Sequence, residues 1–94
     1  MASNGTFTRQ TGFTSVSRND TGTYVFTLSS AAQSSHYIIN AIVVESDARD
    51  DIIVQLKTST QSTTTFTLLV HEGDNAGTAG SLRDRELLVS VIDY

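Results

Sequence analysis

Apolar and polar residues alternate with a period of two through most of the chain. The clearest stretch is Thr23-Tyr24-Val25-Phe26-Thr27-Leu28, which sets Tyr24, Phe26 and Leu28 on one face and Val25 between two threonines on the other. Such alternation predicts a half-buried β-strand. Just before it, Asn19-Asp20-Thr21-Gly22 is a turn cluster, since Asn and Asp bond back to nearby backbone and Gly accepts a positive φ. Phe13 to Ser17 is the natural partner strand. Its apolar phase slips between Phe13 and Val16, which predicts a β-bulge. A hairpin about residues 19–22 is therefore expected.

The pattern continues downstream. Ser29 to His36 is small and polar and reads as a loop. Tyr37 to Val44 is apolar at both parities, Tyr37, Ile39, Ala41 and Val43 on one and Ile38, Ile42 and Val44 on the other. A strand of that kind is covered on both sides, one by a second sheet and the other by a partner subunit or by the chain's own loops. Ile52 to Lys57 and Thr64 to Val70 alternate again and form a second expected hairpin around the polar turn 58–62. Ser46 to Asp51 is an acidic loop, and Gly73 to Arg85 is the longest loop. Leu87 to Ile92 closes the chain, again apolar at both parities, and Thr6-Phe7-Thr8 offers a short edge strand or arm within residues 1–11. Six to eight short strands spaced about ten residues apart predict an all-β chain, a single antiparallel β-sandwich or jelly-roll-like domain over residues 1–94.

Composition agrees. Of 94 residues, 14 are Thr and 12 are Ser, and Thr, Val and Ile together supply 28 β-branched residues, which suit a pleated surface. A net charge of −4 argues against a nucleic-acid partner or an anionic membrane. No run approaches the ~20 apolar residues of a membrane helix, so a soluble chain is expected. The absence of cysteine removes disulfides, thiolate metal sites and cysteine nucleophiles.

Candidate chemistry is sparse. His71 stands beside Glu72, but neighbours on a strand point to opposite faces, which spoils an acid/base or metal pair. Asp47, Asp50 and Asp51, and Asp74 with Asn75, supply hard oxygen atoms without the order of a calcium loop. The glycine-rich run from Gly73 to Ser81 lacks the lysine of a phosphate loop. No cofactor or metal is expected, and no catalytic residue is assigned. Arg83-Asp84-Arg85-Glu86 alternates in charge, which suits ion pairs between subunits or a guarded strand edge.

From Gly12 to Leu28, with Val16-x-Arg18-Asn19 and Thr21-Gly22-x-Tyr24-x-Phe26-x-Leu28, then Ala31-Ala32 and Tyr37-Ile38-Ile39, the chain resembles small β-sandwich modules of tailed-bacteriophage virions. Such modules occur at the ends of tail fibres and in head-decoration proteins. The similarity covers roughly a third of the chain, and the strand from Glu86 to Ile92 resembles theirs as well. What it implies is a non-enzymatic, homotrimeric structural protein on the exterior of the virion. The chain begins at the module without the shaft, coiled coil or collar of a fibre, so the expected role is a capsid decoration or cement protein bound to the major capsid protein or another virion protein. Phe7, Tyr37, Ile39, Val43, Arg83, Arg85, Leu88 and Ile92 are the expected subunit or capsid contacts. The alternative is a fibre or spike knob that binds a host-surface receptor, glycan or protein, through loop residues Asp47, Arg49, Asp50, Asp74 and Asn75.

Overall fold

A computed structural model describes residues 1–6, 12–44, 52–73 and 80–93. Six strands form two antiparallel sheets: β1 (Phe13–Asp20), β2 (Thr23–Leu28), β3 (Ile38–Val44), β4 (Ile52–Leu56), β5 (Thr65–Glu72) and β6 (Glu86–Ile92). The larger sheet has the order β1-β2-β5-β4, and β3 pairs with β6 as a two-stranded ribbon. The chain is all-β, as expected, a small sandwich of four strands over two. Among the described residues, no helix is long and apolar enough to cross a membrane.

Both expected hairpins form. β1 pairs with β2 and shifts register between Phe13 and Ser15, where the apolar phase slips in the sequence. A second shift, between Arg18 and Asp20, leads into the turn. Gly22 takes φ +63° there, a left-handed conformation that glycine adopts without steric cost. β4 pairs with β5 across a short 3₁₀ turn, Thr58–Thr60.

Phe26 and Phe66 are directly opposed across β2 and β5, and their rings stack at 5.0 Å and 6°. Phe13 leans on Phe26 at 5.5 Å, and Tyr37 meets Phe66 edge-on at 6.1 Å. Offset-stacked and edge-to-face contacts contribute about 0.5–1.5 kcal/mol each beyond area burial. Tyr24, Leu68, Val70 and Leu87 complete the core, with Met1 closing one end. Met1 sits there because its N–H donates to the Leu87 carbonyl at 2.7 Å and its carbonyl accepts the Leu87 N–H at 2.9 Å. The ribbon supplies the opposite wall, with Ile39, Ala41, Val43, Val89 and Val91 packed against the core from its inner face.

Candidate interaction surface

The inner face of β3 is set by Tyr37. That side chain is 5% exposed, and its hydroxyl sits 2.8 Å from the Ser62 carbonyl and 3.0 Å from the Thr65 carbonyl. Ile39 and Val43 share its parity and pack against the core. Tyr37, expected as a subunit contact, is therefore part of the chain's own interior, and Ile39 and Val43 lie largely within it. An aromatic ring of this size lowers the free energy most where it is fully removed from water, so its parity becomes the inward one.

The opposite parity faces out. Register pairs Ile38 with Ile92, Asn40 with Ser90, and Ile42 with Leu88. Ile38, Ile42, Leu88 and Ile92 are 47%, 63%, 59% and 52% exposed, four aliphatic corners around the polar Asn40–Ser90 pair. Leu88 and Ile92 were expected as contacts and stand on this open face. Ile38 and Ile42 join them because β3 pairs with β6 in this register, a long-range relation that a single strand's pattern does not carry. A shallow hollow of about 160 Å³ lies between Ile42, Leu88, Asn40 and Ser90.

The larger sheet presents a different outer face. Ser15 pairs with Thr27, Ser17 with Val25 and Thr27 with Thr65, a largely hydroxylated surface, while Thr67, opposite Val25, is buried. Most of the chain's serines and threonines lie elsewhere: of the 22 described, 14 sit outside the strands, in turns and loops.

The two arginines expected at an interface have partners in their own chain. Arg83 Nε donates to Glu72 Oε1 at 2.7 Å. Arg85 is half-buried and donates to the Asp84 carbonyl at 2.8 Å. Between them, Asp84 accepts from Arg18 Nε at 2.8 Å and from the Gly22 backbone N–H at 2.8 Å. The Tyr24 hydroxyl donates to the Ser3 carbonyl at 2.6 Å and accepts the Arg85 N–H at 3.2 Å. This cluster ties the β1–β2 turn, the segment before β6 and the N-terminal residues together. Arg18 holds the Asp84 carboxyl below its usual range, with the Gly22 N–H adding to the effect. In the sequence Asp84 is one charge in an alternating run. The signal available was its neighbourhood of turn and strand-entry residues, which says nothing of a partner sixty residues away.

His71 Nδ1 lies 2.6 Å from the Glu72 carbonyl, and Nε2 lies 2.8 Å from Gln55 Oε1. Glu72 turns to Arg83 on the other side, so the two neighbours do diverge. Among the described residues, no cluster of three or more His, Asp or Glu side chains is placed to hold a metal ion. Phe7, Asp47, Arg49, Asp50, Asp74 and Asn75 lie outside the described residues. A second concavity, of about 220 Å³, opens at the end of the sandwich between Phe13, Leu28 and Val91, rimmed by Ser29 and Ser30. No protein-family model, no curated protein and no solved structure matches this chain.

Proposed function

We propose that the protein is a non-enzymatic structural subunit of a tailed-phage particle, a decoration protein that attaches to the exterior of the head. The observation that carries this reading is the open apolar face of the β3–β6 ribbon. A contiguous patch of that kind on a small domain marks a surface meant to be covered by another protein. The Val16-x-Arg18-Asn19 and Thr21-Gly22-x-Tyr24-x-Phe26-x-Leu28 similarity supports the phage assignment. Those residues build the first hairpin and put Tyr24 and Phe26 into the core, so they speak for a shared domain type. Function in this reading is mass action: a subunit that binds the assembled shell and not its separated parts stabilises the assembled state.

The experiment is direct. Heads stripped of accessory proteins are incubated with the purified chain, and bound copies and the temperature of shell disruption are measured. Hundreds of copies per head with a raised disruption temperature are expected. Binding of a few tens of copies or fewer, at the tail alone, would transfer the protein to a fibre or spike, and specific adsorption to host cells would then identify a receptor-binding knob.

A further inference from the structure

We infer that Asn4 is a site of spontaneous covalent modification, in which the Asn4–Gly5 link rearranges through a succinimide and the isoaspartyl product releases residues 1–6 from β6. The inference concerns the free chain and stands whether or not the protein acts on a phage particle.

The sequence singles out the pair. Of the four asparagines, Asn4, Asn19, Asn40 and Asn75, Asn4 is the one followed by glycine. Attack of a backbone nitrogen on the preceding side-chain carbonyl is fastest at Asn-Gly, because glycine puts no Cβ in the way of ring closure. The other three precede Asp20, Ala41 and Ala76, whose side chains slow the same step.

Residues 1–6 form a hook with two anchors. Met1 exchanges backbone bonds with Leu87, donating its N–H at 2.7 Å and accepting at 2.9 Å. The Tyr24 hydroxyl donates to the Ser3 carbonyl at 2.6 Å. From there the chain turns back on itself. The Gly5 N–H donates to the Ala2 carbonyl at 2.9 Å, and the Ala2 N–H to the Thr6 carbonyl at 2.8 Å. Asn4 is exposed, and its Oδ1 accepts the Thr6 N–H at 3.1 Å and the Thr6 hydroxyl at 2.8 Å.

These bonds prepare one half of the reaction and hold back the other. Two donors on Oδ1 polarise the Asn4 Cγ carbonyl and meet the negative charge that develops on that oxygen. The nucleophile is restrained. Gly5 N must give its proton to a solvent base before it bonds to Cγ, and in the closed hook that proton is engaged by the Ala2 carbonyl. Gly5 is also buried at φ +87°, so close to β1 that a Cβ would stand 3.0 Å from the Arg18 Cβ. Reaction therefore passes through the open hook, and its rate follows the open fraction.

The net change exchanges ammonia for water. Deprotonated Gly5 N bonds to Cγ, the tetrahedral oxyanion collapses, and Nδ2 takes a proton and leaves as ammonia. Water then opens the ring at one of its two carbonyls. Attack at Cγ gives aspartate with the original backbone. Attack at the main-chain carbonyl gives isoaspartate, the usual major product, whose backbone runs through Cβ and Cγ and is one atom longer. Aspartate still offers oxygens to both Thr6 donors, so the hook recloses. With Met1 fixed on Leu87 and Gly5 pressed against Arg18, the longer turn has no slack to take up the added atom. The hook stays open, and the change is one-way.

The test uses the whole chain in mildly alkaline buffer, followed by the mass gained when an amide becomes an acid and by peptide mapping for isoaspartate. Modification should map to Asn4 and run at least about tenfold more slowly in the folded chain than in concentrated urea. Sub-denaturing urea should speed it before the sandwich unfolds. In the isolated isoaspartyl chain the Leu87 amide should lose its protection from exchange, because its Met1 acceptor has left, while β2 and β5 keep theirs. Freshly prepared Asn4→Asp should keep Leu87 protected, which separates the added charge from the added backbone atom. Asn4→Gln, whose longer side chain closes a ring far more slowly, should stay unmodified. Equal rates in the folded and unfolded chains, no product at position 4 in sub-denaturing urea, an isoaspartyl chain with Leu87 still protected, or an Asn4→Asp chain without that protection would each overturn the inference.

Discussion

Asp84 accepts the backbone N–H of Gly22 at 2.8 Å across 62 residues of sequence. The bond fastens the tightest turn of the fold to the segment that leads into its last strand. The same carboxylate takes the Arg18 guanidinium at 2.8 Å, so one side chain closes both sides of the β1–β2 hairpin end. Gly22 in turn gives its carbonyl to the Val70 N–H at 2.8 Å, and the Val70 carbonyl accepts the Arg83 N–H at 2.9 Å. The path from Asp84 through Gly22 to β5 and back to Arg83 is a closed loop of backbone and side-chain bonds.

This loop contributes to stability against acid. The folded state holds the Asp84 carboxyl below its usual value of 3.8, chiefly through the Arg18 hydrogen bond and then the Gly22 N–H. A depressed folded-state pKa means that the unfolded chain binds the proton more readily. The contribution is therefore present above pH 3.8 and is lost as pH falls through the folded value. Asp84→Asn should flatten the acid limb of a stability-against-pH curve. At neutral pH Asp84→Ala should cost about 1–2 kcal/mol, mostly from the Gly22 bond, because the solvent-facing ion pair itself is worth little. An unaltered acid limb in Asp84→Asn would remove Asp84 from this role. Tyr24 and Tyr37 contribute at the alkaline end. Burial raises both hydroxyl pKa values above 10.0, so their share of stability is full below that pH and is lost as pH rises through the folded values. Tyrosinate absorbance should lag behind that of the unfolded chain.

Two glycines with positive φ separate backbone strain from crowding. Gly22 has φ +63°, and a Cβ there would run into the Val70 carbonyl oxygen and the Arg83 backbone. Gly12 has φ +87° with nothing within 4 Å of the position a Cβ would take. Gly12→Ala should cost about 1 kcal/mol for the conformation alone. Gly22→Ala should cost at least about 2 kcal/mol more, as strands β2 and β5 are pushed apart. Urea denaturation midpoints give the comparison, and equal losses at the two sites would show that crowding at Gly22 is relieved without cost.

Tyr37 separates a core residue from a contact residue. Tyr37→Phe keeps the ring against Phe66 and removes a hydroxyl from between the Ser62 and Thr65 carbonyls, so about 1 kcal/mol of stability should be lost. Tyr37→Ala opens a cavity beside Phe66 and should cost about 3–5 kcal/mol, enough to unfold a marginal domain of this size. Thermal unfolding at several protein concentrations checks the assignment. A Tyr37→Ala chain that folds normally and loses only self-association would return Tyr37 to the surface.

The same residue marks how far the sequence could be read. Both hairpins, the bulge after Phe13 and the strand content follow from local alternation and turn chemistry, which neighbouring residues determine. Tyr37 to Val44 was ambiguous because both parities are apolar, and local pattern has no means of choosing between two greasy faces. Pairing chooses. Once β6 lies beside β3 with Leu87 at 0% exposure, Ile42 and Leu88 are forced outward together. The Asp84–Gly22 bond was invisible for the same reason: it depends on a register that joins residues from opposite ends of the chain.

That division also predicts how stability is distributed. β2 and β5 are each paired on both sides and carry Tyr24, Phe26, Phe66, Leu68 and Val70, all essentially closed to water. Their amides have no route to exchange short of opening the whole sandwich. β3 and β6 pair with each other alone in their sheet, and two-stranded ribbons are marginal without a covering layer. Their inner face is anchored through Leu87 and the surrounding aliphatics, whereas their outer face gains nothing from burial in the monomer. Hydrogen exchange on a dilute sample should therefore give β2 and β5 protection equal to global stability, with β3 and β6 lower and less sensitive to denaturant. Uniform protection across both sheets would mean that the ribbon opens only with the core, and that its outer face is already held in the single chain.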